Sequence, residues 1–325
     1  MQISHIILIL LIIIMLSIVS CAPDLNPTPP LTSHPSVTPT ASTASSVLDT
    51  VKGSFRNQIG VLEENMPRAN SEKYVVPTDS EQVDFAKLVS MININESARA
   101  ADLATKNDYA LNYYVDRGDD YAMSYLLREK RPIQNGWGLY AFRLDSTSNI
   151  IVEAPHPLYD RRTTTVALDI YRALDARALL IAGAHRNANS DGSADVAHAP
   201  ESIFQSVHEA LSQEIQAASG NVIILQIHGF HTSKHDGYPQ AVFGFGKKML
   251  PTEFAFAQEL RDALIEQGII NVGLCTGNVW QDLCGETNVQ ASSIDGGLFI
   301  HIELDEKMRK NDDAFVAALV QVFGK

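Results

Sequence analysis

A chain of 325 residues, 45% of them hydrophobic, is long enough to bury one large core, or one core with a smaller satellite, once its ends are set aside. Its 38 acidic and 25 basic residues leave a formal net charge of −13. No Lys/Arg stripe stands out against that excess, which argues against a nucleic-acid partner, because phosphate binding rests on clustered cations.

Residues 1–21 read as an export signal. An apolar run over 6–16 leads into Ser17-Ile18-Val19-Ser20-Cys21. That stretch resembles the lipobox of bacterial lipoproteins and implies that Cys21 becomes the lipidated N-terminus. The first five residues contain neither Lys nor Arg, so an uncleaved membrane anchor stands as the alternative, although the run falls short of the ~20 residues a span needs. Both readings place the protein outside the cytoplasmic membrane, exported and anchored to the cell envelope. Residues 22–46 turn to Pro, Thr and Ser with no apolar period, the composition of a disordered, semi-extended linker.

Residues 47–118 read as a helical N-terminal segment, with Asp79-Ser80-Glu81-Gln82 as a start signal and Val83, Leu88 and Ile92 near helical spacing. Residues 119–325 have the texture of an α/β domain, in which the candidate catalytic residues below all lie. Strands are expected over 121–127 and 137–144, separated by a turn at Asn135-Gly136, and over 150–154. Helices over 163–175, 201–218, 252–267 and 312–323 then alternate with strands over 178–184, 222–227, 270–274 and 297–304. This alternation predicts a mixed, mostly parallel sheet with helices on both faces.

Two of those strands end in histidine. His156 follows the strand at 150–154 and is four residues ahead of Asp160, with Pro155 and Pro157 stiffening the turn. His228 closes the apolar run Val222-Ile223-Ile224-Leu225-Gln226-Ile227, and Gly229 after it permits close backbone approach. Side chains at the C-terminal ends of parallel strands converge on one crevice. Two imidazoles and a carboxylate there make a three-ligand zinc site with one open position. Each histidine taken alone reads equally as a hydrogen-bonded core or turn residue. His231 and His235 lie beyond in a polar loop, as rim residues.

His185-Arg186-Asn187 closes a third strand at the same end, where an Arg fork suits a carboxylate or oxyanion. The competing reading pairs Arg186 with Asp191 or Asp195. Asp195 and His198 open a polar loop ahead of a helix, where they support a ligand or cap that helix. In Phe299-Ile300-His301-Ile302-Glu303-Leu304-Asp305, alternation puts His301, Glu303 and Asp305 on one face. Carboxylates within an apolar strand are costly unless paired or working, and a Glu beside a metal site is a general base. The competing reading is the exposed face of an edge strand with Arg309 as ion-pair partner. Cys275 and Cys284, nine apart in a Gly-rich loop of an exported chain, are expected to form a disulfide.

In chain order, His156 with Asp160, Arg186-Asn187, His228 and Glu303 resemble the zinc carboxypeptidase-like hydrolases. His228-Gly229, Asn288, and Glu303 followed six residues on by Arg309 look most like the poly-γ-glutamate hydrolases and N-formylglutamate amidohydrolases within that group. The resemblance spans about residues 135 to 325. It implies an α/β fold with one catalytic zinc, hydrolysing an amide bond next to a glutamate-like or other acidic group. His156, Asp160 and His228 would be the zinc ligands and Glu303 the base. Arg186, Asn187, Arg309 and His185 would orient an anionic peptide or acyl-amino-acid substrate or steady the oxyanion. The chain departs from the carboxypeptidase HxxE spacing, having HxxxD, and Glu153 and His185 rival Asp160 as the third ligand. A non-catalytic surface lipoprotein that binds an anionic peptide or glycan in the same crevice is the reading from another class.

Overall fold

Strand alternation divides the side chains of one sheet between two apolar layers. The computed structural model describes residues 48–246, 251–276, 279–294 and 296–324. The signal segment with Cys21 and the linker over 22–46 lie outside the described residues. Among those described, the strands are β1 (Thr50–Gly53), β2 (Tyr109–Asp116), β3 (Ala122–Glu129), β4 (Leu139–Arg143), β5 (Ile150–Ala154), β6 (Ala178–Ile181), β7 (Ile223–Gly229), β8 (Ala241–Gly244), β9 (Val272–Leu274) and β10 (Leu298–Leu304). They form one ten-stranded sheet in the order β1-β2-β3-β4-β6-β5-β7-β10-β8-β9. β6, β5, β7 and β10 run parallel at its centre. Antiparallel pairings join β2, β3, β4 and β6 on one side and β10 to β8 on the other.

Helices cover both faces, as expected for a sheet built from βαβ units. On one face lie α1 (Phe55–Asn65), α4 (Thr163–Ala173), α6 (Pro251–Glu266) and α8 (Asp313–Phe323), packed on strand residues such as Val152, Leu179, Leu225 and Ile300. On the other lie α2 (Asp79–Asn93), α3 (Ser97–Lys106) and α5 (Ile203–Ser219), packed on Ile151, Leu180, Ile224 and Phe299. α2 starts at the predicted signal, with Thr78 and Glu81 forming a reciprocal capping box. No helix among the described residues is long and apolar enough to cross a membrane.

The helical stretch at 47–118 also carries β1 and β2, which extend the sheet beyond β3. β8 was not expected from sequence. It is four residues long and fully buried, so it shows no polar alternation to read. β10 lies between β7 and β8, which overturns the edge-strand reading of its polar face. The face carrying Ile151, Ile224 and Phe299 turns polar toward the C-terminal ends of these strands. Two residues on from each stand Glu153, Gln226 and His301, and two further stand His228 and Glu303, all buried.

Candidate metal centre

Parallel register assembles the site. Glu303 on β10 stands opposite His228 on β7, and His301 stands opposite Gln226. His156 lies just beyond β5, in a turn closed by the Asp160 amide donating to the His156 carbonyl at 2.9 Å. His156, Asp160 and His228 are each at most 3% exposed. One ligand atom from each lies within 4.8 Å of the other two.

The hydrogen bonds around the two imidazoles decide which nitrogens face inward. Asp160 Oδ2 is 3.3 Å from His156 Nδ1 and 3.3 Å from His228 Nδ1. On the far side, His156 Nε2 donates to Asp195 Oδ1 at 2.8 Å. His228 Nε2 donates to Gln226 Oε1 at 2.8 Å. The amide of Gln226 is oriented in turn, because its nitrogen donates to Glu153 Oε2 at 2.9 Å. Each imidazole thus has an acceptor at both nitrogens, and a neutral ring that keeps its proton on Nε2 turns an Nδ1 lone pair toward the Asp160 oxygen. Such a set repels itself unless a proton or a metal ion sits among its members.

Proton affinities follow this arrangement. Burial disfavours the imidazolium of His156, but the hydrogen bonds of Asp160 and Asp195 outweigh it and raise its pKa. At His228 burial, helped by the charges of His156 and Arg186, prevails over the hydrogen bond of Asp160 and pushes the pKa down to about 4. Asp160 and Asp195 are both held below the usual carboxylate range, because their histidine hydrogen bonds overcome burial. His301 is pushed well down by burial and by the neighbouring His228.

Glu303 occupies the adjoining corner. Its carboxyl and the ring nitrogens of His228 and His301 form a second close group. His301 Nε2 lies 3.3 Å from Glu303 Oε1, while Oε2 is buried with no hydrogen-bond partner. Burial first, then the charge on Asp160, raise the Glu303 pKa well above its ordinary value. A raised proton affinity is what a general base needs.

The remaining predicted residues are placed differently. Asn187 is exposed, and its described hydrogen bonds are made by its backbone. His185 is half-buried and accepts from the Asn187 amide at 3.0 Å, apart from the ligand groups. Glu153 is occupied by His208 Nδ1 at 2.6 Å and by Gln226, so neither rival for the third position faces the cluster. Arg186 is ion-paired with Asp195, as its competing reading had it, with a second nitrogen 3.5 Å from His156 Nδ1. Arg309 is 2% exposed and donates to the Phe230 carbonyl at 3.0 Å, beneath Gly229. It makes no ion pair with β10 among the described residues. Asp305 accepts from the Met308 amide and caps a turn. His231 and His235 pair with Glu306 and Asp282, outside the cluster. Cys275 and Cys284 form a disulfide.

Sequence reasoning missed the layer beneath the cluster. Gln226 also receives Asn288 Nδ2 and donates to Gln290 at 3.2 Å, and Gln290 donates to Gln205 at 2.8 Å. The signal was present in the two-residue step from Gln226 to His228. Asp195 was weighed as a supporting or capping group. In the structure it bridges His156, His198 and Arg186.

The donor set of two imidazoles and one carboxylate, with a buried carboxyl alongside, is suited to a divalent transition metal. Neither a family model nor a curated protein matches this chain. Among solved structures it is similar to a bacteriophage poly-γ-glutamate hydrolase, at 13% identity over 57% of this chain and 86% of that one, with a TM-score of 0.38. It is similar to an N-formylglutamate amidohydrolase from Ralstonia eutropha, at 11% identity over 57% and 93%, with a TM-score of 0.36. A metallo-carboxypeptidase from Burkholderia cenocepacia is similar at 13% identity over 70% and 69%, also with a TM-score of 0.36. In another such structure the match spans 64% of that chain's length.

Proposed function

We propose that this chain is an exported, lipid-anchored zinc hydrolase that cleaves an amide or peptide bond near an acidic group. One observation carries the reading: His156 Nδ1, Asp160 Oδ2 and His228 Nδ1 converge with both imidazole Nε2 protons turned away. Donors about 2.0–2.1 Å from a tetrahedral zinc stand roughly 3.3 Å apart. The two edges that meet at Asp160 are each 3.3 Å. A zinc ion held there supplies Lewis-acid polarisation of a carbonyl and makes water more acidic.

The chain's own residues do the rest. His156 is fixed in one tautomer by Asp195, and His228 by Gln226. Glu303 takes the proton of the attacking water at Oε2 and returns it to the leaving amine, its affinity raised by burial and by Asp160. His301 holds the other carboxyl oxygen. Anchoring through Cys21 and the linker places this chemistry at the cell envelope.

Metal analysis of the purified full chain is the test. Stoichiometric zinc is expected, lost in His156→Ala and in His228→Ala, with amide hydrolysis abolished by a chelator and restored by zinc. A zinc-free wild type, or variants with unchanged metal, would overturn the reading. Cys21→Ser is expected to move the protein from the membrane fraction to the soluble one.

A further inference from the structure

Beside the ligand turn lies a cavity of about 580 Å3 that no step of the proposed reaction uses. Pro157, the residue after His156, lines it together with His185. So do Arg161 and Arg162, the two residues after Asp160, and Arg68, from the loop that follows α1. All three arginines are exposed. Arg68 donates to the Glu64 carbonyl at 3.0 Å and Arg162 to the Arg309 carbonyl at 2.8 Å. Among the described residues none of the three forms a salt bridge, and the carboxylates that feel their charge, Glu63 beside Arg68 and Asp312 beside Arg162, stand beyond ion-pair distance.

In a chain of net charge −13, three unpaired guanidinium groups around one cavity are a local reversal of sign. The one acid in the lining, Glu63, is engaged by Thr164 at 2.6 Å, and burial raises its pKa. Of the arginines first expected to meet substrate, Arg186 is ion-paired with Asp195 and Arg309 is only 2% exposed, beneath Gly229. Planar guanidinium forks in a concave site recognise carboxylates.

We propose that this cavity is the subsite for the anionic part of the substrate, an acidic peptide whose carboxylates rest on Arg68, Arg161 and Arg162. The choice of bond cleaved rests on the zinc-hydrolase reading, whereas the charge preference rests on the cavity alone. One wall comes from the segment N-terminal to the catalytic strands, which gives that segment a role in recognition.

The test is calorimetric titration of the full chain with tetraglutamate and with tetraglutamine. An Arg68→Ala/Arg161→Ala double variant is compared with wild type, both with zinc and with chelator. Arg162 is left in place because it is tied to the Arg309 carbonyl. Tetraglutamate is expected to bind wild type, and to bind the double variant about tenfold more weakly. Tetraglutamine is expected to bind both proteins weakly and alike, with zinc content and melting temperature unchanged by the substitutions.

Equal binding of the two peptides, or of tetraglutamate to both proteins, would overturn the proposal. So would binding of a sulfated tetrasaccharide where tetraglutamate does not bind. Loss of tetraglutamate binding in a protein that holds no zinc would leave the subsite standing and remove the hydrolase reading. Zinc-dependent hydrolysis of an acidic peptide with the same KM in both proteins would do the reverse.

Discussion

Leaving a carboxyl oxygen buried and unpartnered, as Glu303 Oε2 is, costs about 1–3 kcal/mol. Glu303→Gln keeps the shape and removes both the charge and the proton-accepting oxygen. If the residue is the base, this variant folds at least as stably as wild type and binds zinc normally. Its turnover then falls by about a hundredfold or more. Asp195→Asn separates a second role, because an amide at that position can turn its nitrogen toward His156 and release the Nε2 proton. Partners of metal-bound histidines typically govern affinity by about 10–100-fold. The expected result is weaker zinc binding in a chelator competition, with turnover recovered at excess zinc. Recovery by zinc in Glu303→Gln, or its failure in Asp195→Asn, would exchange the two roles.

At the scale of elements, the site depends on how closely β7 approaches the segment after β10. A Cβ on Gly229 would lie 1.8 Å from Arg309 Nη1, in contact with a guanidinium that is itself buried. Gly229→Ala must move that side chain, and overpacking of this kind costs about 1–3 kcal/mol. Chemical denaturation should show that loss in the single variant. Adding Arg309→Ala should restore part of it, the non-additivity expected of residues in contact. Additive losses would mean that Gly229 is needed for another reason. The need for a small residue after His228 was legible in the sequence, as were the elements that hold the ligands. Ile150–Ala154 reads as a strand because its run is apolar and closed by proline, and Ile223–Gly229 because its run is apolar and closed by glycine. β8 was not legible, since Ala241–Gly244 is a short buried run whose place depends on pairing with β10 and β9. The Gln226 layer was hidden for a similar reason. A glutamine within an apolar run is ambiguous until its partners, 62 to 73 residues away in sequence, are known.

At the scale of the whole molecule, the position of residue 119 as the start of an α/β domain can be tested against the two cores. The layer under α4 and α8 includes Phe55, Ile59, Leu62 and Met66. The opposite layer includes Phe85, Leu88, Val89, Ile92 and Tyr109. Each of these nine side chains is at most 6% exposed. Burying a large apolar side chain contributes about 1.5–3 kcal/mol. Even halved for a compact unfolded state, nine of them approach or exceed the roughly 5–15 kcal/mol of net stability that a folded protein has. Removing residues 1–46 leaves all nine and should yield a soluble protein with the melting temperature and zinc content of the full chain. Removing residues 1–118 strips both faces of the sheet and leaves β3 as an open edge, the arrangement that invites aggregation. That shorter chain should be insoluble or lack a cooperative thermal transition. If it folds and binds zinc, the N-terminal helices are accessory, and the basic wall contributed by Arg68 is the part of that segment to pursue.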